Sequence, residues 1–325
     1  MSIAHPTHCD VARPILPSPI RKAIDTFNSR SARLAGGLKR GLAVAACVLP
    51  ALAMAGATAR ADVLVLVQGY LGSAHSFRAS GVADALSRRG WRDGGHLLIA
   101  ADGRFHAASP PRFAGMPPQE AHANSFYTVE LPTEAPVAYQ ARVLADALLD
   151  AGARHKGAPL HVVGHSAGGV VARFTAVVDR RVSIATLVTI ASPHLGTAAA
   201  EVGSMVGQSP LGWIAPFFGA STVNRSQGLY QDLWRERPGT ALGWLNRQQH
   251  PSLRYVSVIR ATDPGQPLAG DSVVAGISQD MNAVPALVGR SERIVTTGEH
   301  GLLPADGLLI ADILGAARTA AMARP

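Results

Sequence analysis

From residue 62 onward the chain alternates short, unbroken apolar runs with longer stretches whose apolar residues recur at helical spacing. Asp62-Val63-Leu64-Val65-Leu66-Val67 opens the pattern; consecutive apolar positions are what a parallel strand buried on both faces requires. A helix is predicted from about Ala74 to Arg89, then a weak strand near His96–Ala101. A Pro- and polar-rich irregular stretch follows from Asp102 to Asn124, and a strand over Ser125–Leu131. Ala135–Ala151 reads as a helix, with Val137, Val143, Leu144, Ala147 and Leu148 on one apolar stripe. The run Leu160-His161-Val162-Val163 feeds directly into a second helical pattern carrying Val170, Val171, Phe174, Val177 and Val178. Ser183–Ile190 is the next buried strand.

Residues 198–250 break the alternation and carry Trp213, Phe217, Phe218, Trp234 and Trp244, an aromatic-rich insertion. The pattern resumes with a strand over Leu253–Ile259, a long loop to about Ala286, a strand over Glu292–Thr297 and a helix from about Ala305. Repeated βα units predict an α/β fold: a mostly parallel central sheet with helices on both faces. There is no internal repeat and no coiled-coil heptad.

The first 61 residues stand apart. Residues 1–40 are Arg-rich and Pro-dotted; Lys39-Arg40 then precede the apolar run Gly41–Ala57, and Ala59-Arg60-Ala61 supplies an A-x-A cleavage site before Asp62. That layout is an N-terminal signal sequence with a long basic region, and it predicts export to the periplasm or medium. A retained membrane anchor is the alternative, which Pro50 and the small residues disfavour. Both cysteines, Cys9 and Cys47, fall in this leader, so the domain after it has neither disulfide nor thiol chemistry. Charge changes meaning too. Eight of the 30 Lys and Arg and two of the 22 Asp and Glu lie in residues 1–61, leaving 22 cations against 20 anions, a net +2 rather than +8. No basic stripe points to nucleic acid.

The candidate chemistry centres on Gly164-His165-Ser166-Ala167-Gly168, which fits G-x-S-x-G between a strand and a helix. A serine on so tight a turn holds its Oγ clear of both elements, and glycines two residues either side let strand and helix approach. The Ala167 N–H, at the helix start, points where negative charge would develop on an attacked carbonyl. In the loop after the first strand, Gln68-Gly69-Tyr70-Leu71-Gly72, the Tyr70 N–H is the second candidate oxyanion donor.

A serine needs a base to take its proton and an acid to orient the base, in chain order Ser, Asp/Glu, His on such a sheet. His300, in the loop Thr297-Gly298-Glu299-His300-Gly301, is the only histidine after His250 and is the candidate base. His165 is expected to point away from the site, and His194 to be a structural hydrogen-bonder. The histidines lack metal-site spacing. Two aspartates compete as the acid: Asp263, which Asp-Pro-Gly context also explains as a turn residue, and Asp271 in Gly270-Asp271-Ser272-Val273-Val274. Asp280 and Glu299 are further alternatives.

Taken together these stretches resemble the α/β-hydrolase superfamily, and within it the secreted bacterial lipases and esterases. Val65-Leu66-Val67-Gln68-Gly69-Tyr70 is similar to the family's strand ending in His-Gly-x, and Ser192-Pro193-His194-Leu195-Gly196-Thr197 to its Thr-Pro-His-x-Gly-Ser segment. Asp271-Ser272-Val273-Val274 resembles its Asp-Gly-Val-Val box, and Gly298-Glu299-His300-Gly301 its histidine loop. The resemblance spans about residues 62–317. It implies an α/β-hydrolase fold and a carboxylic ester hydrolase with Ser166 as nucleophile, His300 as base and Asp271 as acid. It implies an ester or lipid substrate, transient lipid-interface contact and no redox or nucleotide cofactor. Calcium, bound by some relatives, finds no identifiable pair of carboxylates. Gln68 departs from the family's usual His, and 198–250 matches no family segment; in such lipases that position holds a lid, and an apolar, Trp-rich insertion suits a flap over an acyl pocket, an ordinary helical cap with inward aromatics being the alternative. An acyltransferase using the same residues, or a non-catalytic binding protein on this scaffold, are the alternatives.

Overall fold

The computed structural model describes residues 61–99, 105–108, 124–201 and 225–322. Residues 1–60, where most of the expected signal sequence and both cysteines fall, and Trp213, Phe217 and Phe218 lie outside them. The apolar run Val63–Val67 becomes strand β1, buried at every position. Seven further strands follow in chain order: β2 (Arg92–Ile99), β3 (Phe105–Ala108), β4 (Ser125–Val129), β5 (Leu160–His165), β6 (Thr186–Ile190), β7 (Arg254–Ala261) and β8 (Ser291–Thr297). They form one sheet in the order β3-β2-β4-β1-β5-β6-β7-β8. Every neighbouring pair is parallel except β2 and β3.

The helices are α1 (Ser76–Ala79), α2 (Val82–Arg88), α3 (Val137–Arg154), α4 (Ala167–Val178), α5 (Gln227–Asp232), α6 (Ala241–Leu245), α7 (Gly276–Gln279) and α8 (Pro304–Met322). Successive strand residues point to opposite faces, so each buried strand feeds two cores. Val63, Val65, Val67 and Val162 pack under α3 and α4 with Leu144, Leu148, Val170 and Phe174. Leu64, Leu66, Val163, Val188 and Val258 pack against α2 and α8 with Leu86, Ile310 and Leu314. At roughly 1.5–3 kcal/mol for each fully buried large apolar side chain, these layers are the main force holding the sheet.

Three expectations need adjusting. The helix expected over 74–89 is two pieces, because Gly81 sits at φ +79° and breaks the run between α1 and α2. The stretch expected to be irregular contains β3, a short edge strand ordered by antiparallel pairing to β2 rather than by any apolar period of its own. Strand β2 also begins four residues earlier than its apolar signal: Gly94 packs where a Cβ would strike the Tyr127 ring, and Asp93 pairs with Arg78. In the 198–250 insertion, α5 with Leu233 just after it and α6 send Leu229, Leu233, Leu242 and Leu245 into the first core, with Trp234 and Trp244 packed against it. Among the described residues no helix is long and apolar enough to cross a membrane.

Candidate active site

The carboxyl ends of β1, β5, β7 and β8 bring the candidate residues to one edge of the sheet, the place where open α/β sheets hold ligands. Ser166 sits between β5 and α4 at φ +52°, ψ −129°. A non-glycine residue there costs of order 1–3 kcal/mol and persists only where its surroundings fix it. They do so here: the Ser166 N–H donates to Ile190 O on β6 at 2.8 Å, and Ser166 O accepts from the Gly169 N–H at 3.0 Å. A Cβ on Gly164 would strike the Gly168–Gly169 backbone, so that glycine does let strand and helix approach. Gly168 has a different reason: its Cβ would strike the Val67 and Gln68 carbonyls, so it makes room for the loop after β1.

That loop crosses directly over the serine. A Cβ on Gly69 would lie 2.8 Å from Ser166 Cβ. Tyr70 follows immediately, and its backbone N–H and that of Ala167, the first residue of α4, have no hydrogen-bond partner among the described residues. The Tyr70 hydroxyl meets the Tyr230 hydroxyl of α5, edge to face at 5.4 Å between rings, and burial pushes the Tyr230 phenol upward. The insertion thus braces the loop that carries one candidate oxyanion donor. Gln68 is buried with both amide atoms unpartnered among the described residues.

His300 follows β8 and faces the serine, with Nε2 2.8 Å from Ser166 Oγ and Nδ1 2.9 Å from Asp271 Oδ2. With the carboxylate ionised, Nδ1–H donates to Asp271 and Nε2 is left to accept the serine proton. Asp271 is held by its own turn: Oδ1 accepts from the Val273 and Val274 N–H groups at 2.8 and 2.7 Å, and Oδ2 also accepts from Gln279 Nε2 at 3.2 Å. Burial pushes this carboxyl up, but the His300 contact and the two backbone N–H groups outweigh it and hold it below the ordinary carboxylate range. Gly270, at φ +81° with no room for a Cβ beside Val274 O and Gly276 N, forms the turn that presents it.

The other aspartate does not join this group. Asp263 stands in an exposed turn and accepts from Gly265 N at 2.8 Å and Gln266 Nε2 at 3.3 Å, the turn role its Asp-Pro-Gly context allows. Asp280 caps a short turn through Asn282 N at 2.8 Å, and Glu299 accepts from Ser272 Oγ at 3.1 Å. His194 is fully buried with Nε2 3.0 Å from Thr189 Oγ1.

His165 corrects its expectation. It turns toward the site: its Nε2–H donates to the His300 carbonyl at 2.8 Å, with the two rings 5.3 Å apart. Burial lowers it to about 4, so it stays neutral at physiological pH. Gln279, Arg260 and Asp306, which also brace the site, carry no motif signal; their roles arise only from loops meeting in space. Among the described residues no three His, Cys, Asp or Glu side chains gather so as to hold a metal ion.

Strand order, serine turn and flanking helices together define the class, and comparison with known proteins agrees: a family model describing the alpha/beta hydrolase fold matches residues 62–247. The chain belongs to the alpha/beta hydrolase fold family. The match takes in Tyr70 and Ser166 and ends before Asp271 and His300. Among solved structures, the chain is similar to the Bacillus licheniformis lipase BlEst2 in its propeptide form, at 13% identity and TM-score 0.51, covering 80% of this chain and 50% of that one. The mature form of that lipase is 13% identical with TM-score 0.49, covering 79% and 92%. The product of the Listeria innocua gene lin2722 is 17% identical with TM-score 0.49, covering 76% and 88%. Such identities speak to the fold alone. No curated protein sequence matches the chain.

Proposed function

We propose that this protein is a serine hydrolase that cleaves carboxylic esters, of the lipase or esterase kind, through an acyl-enzyme on Ser166. The observation that carries this reading is the unbroken hydrogen-bond chain Ser166 Oγ–His300 Nε2 and His300 Nδ1–Asp271 Oδ2, at 2.8 and 2.9 Å.

In this reading Ser166 Oγ attacks the ester carbonyl as His300 Nε2 takes its proton. Asp271, kept ionised by its backbone donors, holds the imidazole in the required tautomer and stabilises the imidazolium. The Tyr70 and Ala167 N–H groups, which have no acceptor among the described residues, receive the negative charge on the carbonyl oxygen. Each such donor is worth roughly 10²–10³ in rate. His300 then returns the proton to the leaving alcohol, and a water activated by the same base releases the acid. An apolar acyl or lipid substrate is favoured by Leu71, Val273 and Leu303, exposed on the loops that carry the donor, acid and base. Export through the leader is part of the same proposal, resting on its charge, apolar run and A-x-A site.

A fluorophosphonate probe tests the reading. Covalent labelling of the full chain at Ser166, abolished by heat denaturation and by Ser166→Ala, is expected. A native chain that resists labelling contradicts it.

A further inference from the structure

We propose that Arg260 is a positioning residue that keeps the base and acid loops in register, an inference that rests on the hydrolase reading above. Arg260 lies near the carboxyl end of β7 and is 1% exposed, among the largest fully buried side chains of the described residues. Its Nη2 donates to both carboxylate oxygens of Asp306 at 2.8 Å, in the first turn of α8. Asp306 in turn accepts from the Leu303 N–H at 2.7 Å. The same guanidinium reaches the Gly301 carbonyl at 3.5 Å and Thr296 Oγ1 on β8 at 3.2 Å. These contacts bracket His300: one before it on the strand, one directly after it, and one two residues further through Asp306. Gly298, at φ +149°, leaves the Arg260 stem its passage, since a Cβ there would lie 3.3 Å from Arg260 Cδ.

The backbone of the same residue serves the acid. Arg260 N–H donates to Gln279 Oε1 at 2.7 Å, and Gln279 Nε2 donates back to Arg260 O at 3.1 Å. That amide, fixed at both ends, donates also to Val274 O at 2.8 Å and to Asp271 Oδ2 at 3.2 Å. One strand residue therefore holds His300 through its side chain and Asp271 through its main chain.

Stability alone does not call for this arrangement. A buried ion pair is often no more stabilising than apolar residues of similar volume. What the pair provides is direction, because one guanidinium nitrogen shared between both carboxylate oxygens is a charge-assisted contact with a preferred distance and angle, whereas apolar contacts slide. A base that must stay within hydrogen-bond reach of Ser166 needs that, since a displacement of about 1 Å costs on the order of 10² in rate.

The test replaces the pair by apolar residues, Arg260→Met with Asp306→Leu in the full chain, and follows p-nitrophenyl ester kinetics beside thermal melting. The expected result is a folded protein whose kcat falls about 10- to 100-fold while KM stays within about twofold, and whose fluorophosphonate labelling slows by the same factor. Arg260→Lys, which keeps the charge but lacks the two separate nitrogens that reach Asp306 and Thr296, is expected to recover part of that kcat. A folded double variant with wild-type kcat, or with KM alone changed, overturns the proposal. Should the double variant not fold, Arg260→Lys decides: reduced kcat at wild-type KM supports the role, and unchanged kcat overturns it. A wild-type chain with no Ser166-dependent turnover overturns the hydrolase reading and this inference with it, before any variant is compared.

Discussion

The Nε2–H of His165 donates to the carbonyl of His300 at 2.8 Å, so the residue immediately before the candidate nucleophile holds the backbone of the candidate base. The two residues are 135 positions apart in sequence, and the contact fixes the spacing between serine loop and histidine loop independently of the triad itself.

Replacing His165 by Phe keeps a ring of similar size and removes that donor, leaving a carbonyl unpaired. The expected consequence is a fall in kcat of about tenfold with KM little changed, as for a loss of orientation rather than of binding. Steady-state kinetics on a single ester decides it; a kcat within twofold of wild type contradicts the role.

The same residue gives stability a pH dependence. Burial holds the His165 imidazole at about 4 in the fold, below its unfolded value of roughly 6.5, so the unfolded chain binds the extra proton more readily. This contribution is complete above about pH 6.5 and is lost as pH falls toward 4, on the order of 3 kcal/mol in all. Urea midpoints at pH 7 and pH 4.5 are expected to drop less for His165→Phe than for wild type. An equal drop in both contradicts it.

Asp271→Asn is expected to lower kcat by roughly 10³–10⁴, because the amide favours the wrong imidazole tautomer and carries no charge. Asp263→Asn, altering only an exposed turn, is expected to leave kcat within about twofold. Equal effects at the two positions would reassign the acid.

Gly69→Ala places a methyl against the Ser166 side chain, where 2.8 Å leaves no room. The loop after β1 must then retreat, carrying the Tyr70 N–H with it. A loss of about 10²-fold in kcat is expected, with destabilisation of about 1–3 kcal/mol. Wild-type kcat in this variant would remove Tyr70 from the oxyanion site.

Asp232 anchors the insertion from α5, its Oδ2 accepting from the Val137 N–H at the start of α3 at 2.8 Å. Burial pushes this carboxyl up to about 6, partly offset by that N–H. A raised acid favours the protonated form in the fold, so stability is lost as pH rises from about 4 to about 6, on the order of 2–3 kcal/mol in all, and the loss is complete at neutral pH. Asp232→Asn keeps an acceptor and removes the charge. A higher melting temperature than wild type at pH 7.5, with the advantage gone at pH 4, is the expected pattern; a lower one at pH 7.5 contradicts it.

Much of the fold was legible because burial on two faces leaves an unmistakable mark on strands such as Val63–Val67. The serine turn was legible because a strained loop between strand and helix admits few residue types. Edge strands carry no such mark: β3 is ordered by its neighbour, and β2 begins in Arg92-Asp93-Gly94-Gly95, where partners rather than periodicity set the structure. Within the site, the positions of Ser166 and His300 are readable from chain order, whereas the local sequence leaves Asp263 and Asp271 open. The structure sets Asp271 beside His300 through a turn at Gly270 and a clip at Gln279 from the following helix, a long-range arrangement no local pattern encodes. The direction of His165 is hidden from the sequence for a similar reason: it depends on a loop 135 residues away.

The most direct measurement is turnover of p-nitrophenyl esters, from acetyl to palmitoyl, by the full chain beside Ser166→Ala. Ester hydrolysis that disappears with the serine, strongest on an apolar acyl chain, is the expected result. Equal, negligible release of nitrophenol by both proteins across the series would contradict the proposed ester hydrolase.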